Sequence, residues 1–319
     1  MDAQVGPTLR KMFFEKYPQK IWGIDINELT ADWAPKRIKF REKISPFYTN
    51  EWSAVSNKGT GAIYSRIAEK IIKFGGKINF NKKVTSITSS GKLISEIVFS
   101  DGSKQHVEPS DIIISSIPIT ILSKFFNYQS KLSFRGVRLG YFLVNKDRVL
   151  PEGINWLYYD SVKLLFNRIT EPKTMNSSMG QFNKTVIVTE TAYSKNDDLD
   201  KLSDIEFLNR IKTDLKKVFP LSNEDIIDSL SHSEDFVYPV QTSGYQEELA
   251  KTRSVIGNYD QLYSLGTGGD FNYADSQILF HMAFDIADEI LNNNKTNSKT
   301  IKEVKPVKQN THVKLNNNI

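Results

Sequence analysis

The stretch "SLGTGGDFNYADS", residues 264–276, joins a short apolar run to three glycines and then to a helical pattern. Ile278, Leu279, Met282, Ala283, Ile286, Ala287 and Ile290 fall on one face of a helix predicted over 277–290. Asp275 or Ser276 is expected to cap it, since each offers a side-chain oxygen to the unpaired N–H groups of the first turn. A strand, a glycine turn and a helix start make an anion-binding arrangement, in which backbone N–H groups donate and glycine permits close approach. An ordinary strand–turn–helix that needs glycine only for its turn has the same pattern. Other chemistry is sparse. With no cysteine, the chain has no thiolate catalysis, disulfides or cysteine-ligated metals. His232 and His281 stand alone without metal-ligand spacing, and His281, inside the last helix, is expected to be packed or half-exposed. No Ser–His–Asp grouping has local support. The acidic clusters at 196–200 and 224–228 read as loop or helix-start charges rather than carboxylate pairs.

The elements that must position these groups follow from periodicity. Residues 1–57 read as mainly helical with aromatic punctuation. In "KGTGAIYSRIAEKIIKFGGKINFNKKVTSI", Ile63, Ile67, Ile71 and Phe74 form a helical stripe, and Gly75-Gly76 supplies its left-handed stop. Strands are expected at "KINFN" and "KVTSI", and a hairpin around Asp101-Gly102. "DIIISSIP" reads as a strand buried on both faces and stopped by Pro118. From 121 to 254, "GVRLGYFLVNK", "INWLYY", "VKLLFNRI", "KTVIVTETAY" and "HSEDFVYPV" are strands of an antiparallel sheet. Between the last two, Ser203 and Glu206 form a capping box for a helix through Val218. The predicted fold class is therefore α/β (α+β): a parallel-type sheet from the early and late parts, interrupted by an antiparallel-sheet domain.

Composition sets outer bounds. Hydrophobic residues make up 39% and aromatics 11% of 319 residues, enough for a real core. The formal charge of +5 is carried entirely by residues 292–319, which hold six lysines against one glutamate. That tail has no apolar period and reads as disordered. The rest is formally neutral, so no nucleic-acid partner is expected. No membrane-length apolar run and no signal-peptide layout is found, and a cytoplasmic location is expected.

"YPQKIWGIDINELTADWAPKRIKFR", "GTGAIYSRIAEKI", "GGKINFNKKVTSI", "LLFNRITEP" and "YADS" occur in an order that resembles the flavin-dependent UDP-galactopyranose mutases. Those proteins sit in the wider amine-oxidase and protoporphyrinogen-oxidase superfamily, which binds FAD. The resemblance runs from about residue 12 to 291. It implies FAD as cofactor, with Val84, Gly266, Asn272, Tyr273, Ala274, Asp275 and Ser276 lining it. Val84 matches the position whose backbone meets the adenine ring. Trp22 matches a tryptophan lining the mutase site. Arg37 and Arg168 match arginines that face the substrate diphosphate or the flavin, a role that suits a guanidinium fork. With Asp275, these three are the catalytic candidates. The implied domains are a helical part of the substrate domain (1–57), an FAD-side Rossmann-like domain (58–120 and 255–291), the antiparallel-sheet substrate domain (121–254) and the basic tail (292–319). The implied activity is flavin-mediated ring isomerisation of a small-molecule UDP-sugar. An FAD-dependent amine oxidase or dehydrogenase is the alternative. The superfamily opens with a strand, G-x-G-x-x-G and a helix, and these 319 residues contain no such motif. A third expectation follows: a non-catalytic remnant or one half of a split flavoprotein, partnered by a separate N-terminal fragment.

Overall fold

The computed structural model describes residues 2–30 and 56–295. They fall into two units, 1–274 and 275–319.

The first unit is organised by a five-stranded antiparallel sheet, in the order β6-β7-β8-β5-β9. Its strands are β5 (Phe134–Val144), β6 (Trp156–Tyr158), β7 (Arg168–Thr170), β8 (Thr185–Tyr193) and β9 (Ile226–Pro239). The alternation in "YFLV" and "VIVT" sends Phe142, Val144 and Ile187 to one face, where they are fully buried. Helix α3 (Asp204–Val218) covers that face with Phe207, Ile211 and Leu215. The expected capping box starts it: the Ser203 hydroxyl accepts from the Glu206 amide, and the Ser203 amide donates to Glu206 Oε2 at 3.0 Å. Burying such side chains contributes about 1.5–3 kcal/mol each, so this layer sets the orientation of the opposite face.

One predicted strand is absent and another is shortened. "KINFN" has no ladder partner, and only Arg168–Thr170 of the "VKLLFNRI" region pairs. Before Arg168 the chain leaves the ladder: Phe166 and Ile169, three residues apart, both enter the core, which strict two-residue alternation does not allow. The Leu165 amide is satisfied instead by Asp214 Oδ2 at 2.8 Å. β9 begins at Ile226, so the acidic cluster at 224–228 runs into a strand rather than a helix start.

A second core, around Ile94, Ile119, Leu122, Leu249 and Phe271, gathers the remaining elements. β1 (Val84–Ser90), β2 (Leu93–Phe99) and β3 (Lys104–His106) form an antiparallel sheet with the expected turn at Gly102. β4 (Ile113–Ser115) pairs in parallel with β10 (Leu262–Ser264), and α4 (Tyr245–Ile256) packs into the same core. Contrary to the expectation of a strand buried on both faces, Ile114 is 55% exposed, because no described element covers that side of β4. Helix α2 (Gly61–Lys73) ends at the predicted glycines, but none of its residues is buried.

The second unit is represented by helix α5 (Ser276–Lys295). It runs past the expected boundary at 292, and His281 on it is exposed rather than packed or half-exposed. The rest of the predicted tail lies outside the described residues.

Candidate functional site

The face of the five-stranded sheet opposite α3 carries the groups with chemical potential. Pairing places Tyr158 (β6), Arg168 (β7) and Glu190 (β8) side by side across three strands. Cross-strand partners lie about 5 Å apart on the same face, so this row is a consequence of register. Arg168 Nε donates to Glu190 Oε1 at 2.8 Å, and Nη2 donates to the same oxygen. The guanidinium sits 6.0 Å from the centre of the Tyr158 ring. Burial works against its charge, but Glu190 and Tyr158 outweigh it and hold Arg168 above the ordinary arginine value.

Helix α1 (Lys16–Trp22) lies over β8 and brings two more rings. Gly23 stops the helix in the left-handed region (φ 67°), and a side chain there would collide with the Arg135 guanidinium. Arg135 donates to the Ile21 carbonyl at 3.0 Å, satisfying one orphan acceptor of the helix end. Lys20 Nζ donates to three carbonyls, of Ser161 at 2.9 Å, Phe166 at 2.6 Å and Tyr159 at 3.4 Å. These two cations pin α1. As a result, Tyr17 meets Tyr158 edge-on at 5.3 Å, and Trp22 meets Tyr238 at 5.7 Å and Tyr273 at 6.2 Å. Tyr238 and Tyr273 are 5.3 Å apart, which closes a three-ring cluster. Burial raises the phenol pKa values of Tyr17 and Tyr238, and the rise is reinforced by Tyr158 and Glu190 respectively, so both stay hydrogen-bond donors. Tyr141 is raised likewise, by burial and then Glu190.

Lys20 allows a pH test of this anchoring. Burial lowers its pKa from 10.5 to about 8, opposed by Asp160 and Asp214. Between those values the unfolded chain binds a proton that the folded chain has shed, so Lys20 makes stability rise with pH across that window. In Lys20→Met that contribution is expected to vanish. Thermal unfolding of both proteins from about pH 7.5 to 10 measures it as the difference between their slopes.

The sequence-derived candidates divide accordingly. Trp22 and Tyr273 share the three-ring cluster, and Arg168 lies in the neighbouring row, coupled electrostatically to Tyr238. Val84 opens β1, opposite Phe99, away from those rings in sequence and in sheet. Gly266 follows β10 at φ 87°, and the Asn272 amide donates to the Thr267 carbonyl at 3.2 Å. Ala274 closes the first unit, half-buried; Asp275 and Ser276, both exposed, open the second. Arg37 lies outside the described residues. Residues 266–269 form a helical turn of their own, so β10 does not lead straight into α5. A Cβ on Gly269 would lie 3.1 Å from the Ser115 carbonyl, so close packing on the end of β4 requires glycine there. Tyr17, Tyr158, Glu190 and Tyr238 were missed. Glu190 left a signal, an acid inside the apolar alternation of "TVIVTETAY".

A cavity of about 200 Å³ beside Asp147, Glu171 and Lys173 is unrelated to this cluster. Three of its charges are already engaged: Glu171 accepts from the Val149 and Leu150 amides, and Lys173 donates to Asp147 and two carbonyls. Among the described residues no acid or histidine group could hold a metal, and no helix is long and apolar enough to cross a membrane.

Residues 12–207 match the family model described as GLF, UDP-galactopyranose mutase. The chain resembles a crystal structure of reduced UDP-galactopyranose mutase, with TM-score 0.73 and 19% identity over 91% of this chain and 67% of that one. It also resembles an oxidoreductase from Methanosarcina mazei, with TM-score 0.51 and 16% identity over 73% of this chain and 54% of that one. A putrescine oxidase with redesigned cofactor binding gives TM-score 0.52 and 12% identity over 74% of this chain and 53% of that one. A comparison with curated proteins gives no match.

Proposed function

The chain belongs to the UDP-galactopyranose mutase family, and from that premise we propose that it is an FAD-dependent protein whose substrate is a UDP-sugar and whose reaction is ring isomerisation. The observation that carries the substrate class is the Arg168 guanidinium set beside Tyr17, Tyr158 and the Trp22–Tyr238–Tyr273 cluster. Neutral phenols donate to diphosphate oxygens, the cation supplies the matching charge, and an indole offers a flat face to a nucleobase. The oxidase alternative rests on likeness of fold alone.

The flavin reading has a fit on one side. β4 and β10 run parallel, so their carboxyl ends lie together, followed by Ser116–Pro118 and by the turn at Gly266. Ligands of open parallel sheets bind at such ends. A Cβ on Gly266 would meet nothing nearer than 4.0 Å, which leaves that side of the turn open to a ligand's backbone contacts. The open turn fits a flavin there: Gly266 and Asn272 would offer main-chain contacts, and the resemblance would put Val84 at the adenine end. FAD, when bound, supplies the electron-rich centre that ring isomerisation requires. The chain's own residues do the rest: Arg168 and the tyrosines hold the diphosphate and orient the sugar, and the aromatic cluster excludes water. The division into a flavin side (58–120 and 255–291) and a substrate side (1–57 and 121–254) is part of this proposal.

The test is direct binding of UDP to the purified chain, followed by calorimetry and tryptophan fluorescence. Saturable binding is expected, weakened at least about tenfold in Trp22→Ala. Equal binding of UDP and uridine would remove the diphosphate from the reading.

A further inference from the structure

The loop 159–167 joins β6 to β7, and its mouth is the Tyr158–Arg168 pair, the last rung of a three-pair ladder. β6 is also the edge strand of its sheet. A terminal rung on so short an edge hairpin frays unless the loop beyond it is held. The ends of the loop are tied by backbone bonds. The Tyr159 amide donates to the Asn167 carbonyl at 2.9 Å, and the Asn167 amide to the Glu190 carbonyl at 2.7 Å. Between those ties, the carbonyls of Tyr159, Ser161 and Phe166 converge on one point, 3.4, 2.9 and 2.6 Å from Lys20 Nζ. Three acceptors turned toward each other repel, and an ammonium, with three N–H donors, answers all of them. Asp160 and Asp214 act on Lys20 through space, and Asp214 is itself taken by the Leu165 amide and Lys217. The carbonyls are the direct partners of this cation. Tyr17 and Lys20, three apart on α1, share a helix face, so one side of α1 meets both Tyr158 and the loop that follows it.

We propose that Lys20 is a positioning residue for the candidate site: by filling this crown of carbonyls it holds Tyr158 beside Arg168, without touching the ligand. Both residues are diphosphate ligands under the UDP reading, so the effect on UDP rests on that reading; the hold on the loop does not. Removing the ammonium leaves three carbonyls turned inward without a donor, that of fully buried Phe166 among them. The loop then opens to water to satisfy them, and the rung at its mouth opens with it. The crown is thus a site for a primary ammonium. A free alkylammonium of matching length takes the place of the side chain once that chain is cut back.

The test compares Lys20→Ala, Lys20→Met and the unchanged chain in UDP calorimetry at neutral pH, with and without propylammonium chloride. Lys20→Ala is expected to bind UDP at least about tenfold more weakly, and propylammonium should restore most of that loss. Sodium chloride at equal ionic strength controls for screening and should restore none. Lys20→Met fills the space without a donor, so it should lose as much and gain nothing from the amine. Hydrogen exchange on the free proteins reads the loop without UDP. The Tyr159 and Leu165 amides should exchange at least about tenfold faster in Lys20→Ala, and propylammonium should slow them again. The proposal is overturned by unchanged UDP affinity or unchanged exchange in Lys20→Ala. It is equally overturned by losses that the amine leaves untouched, or repairs just as well in Lys20→Met. If none of the proteins binds UDP but exchange follows the expected pattern, the hold on the loop stands and the substrate reading falls.

Discussion

Glu190→Gln is expected to lower the stability of the protein and to tighten its hold on UDP. The substitution keeps the shape of the side chain but removes the charge that Arg168 faces across β7 and β8. Glu190 is 14% exposed and Arg168 35%, so the pair is partly shielded from water and its charge-assisted bonds count for more than those of a surface pair. Losing a partner in such a setting costs about 1–3 kcal/mol, visible as an earlier midpoint in urea. At the same time the site gains one positive charge. If the diphosphate lies against Arg168, affinity for UDP should rise roughly tenfold, about 1.4 kcal/mol. Arg168→Met separates the two effects, since it should lose both stability and UDP binding. Lower stability with unchanged UDP affinity in Glu190→Gln would make the pair a purely structural strut.

The second large effect concerns FAD. Residues 1–319 contain no G-x-G-x-x-G, and the glycine turn after β10 offers only a few main-chain contacts. Such contacts supply a few tenths to about one kcal/mol each, whereas micromolar affinity needs about 8 kcal/mol. Titration of the purified chain with FAD, followed by flavin fluorescence, is therefore expected to give weak binding. Supplying a strand, glycine loop and helix should tighten it by at least about a hundredfold. In that assembly Gly266→Val, which forces a branched side chain into φ 87° beside the parallel strand ends, should reverse much of the gain. Stoichiometric binding by residues 1–319 alone would show that tight binding needs no glycine loop. No binding after the loop is supplied would count against the flavin itself.

The local elements were legible wherever short-range physics decides them. The capping box at Ser203, the left-handed stop at Gly75 and the hairpin at Gly102 are written in single residues with one conformational role. β5 and β8 were legible because alternate burial against α3 repeats every second residue. The regions that failed were those whose apolar residues serve something other than a ladder. Leu164 and Phe166 fill the core from an irregular loop, and "KINFN" has no strand to pair with. The amphipathic stripe of α2 was read correctly as a stripe, but periodicity cannot say whether a partner is present. Of the residues in this cluster, the family resemblance pointed to Trp22, Arg168 and Tyr273 through their motifs. Only the tertiary structure added Tyr17, Tyr158, Glu190 and Tyr238, because cross-strand register and the pinning of α1 by Lys20 and Arg135 are long-range matters. A carboxylate 22 residues from its arginine becomes its partner only when two strands settle side by side.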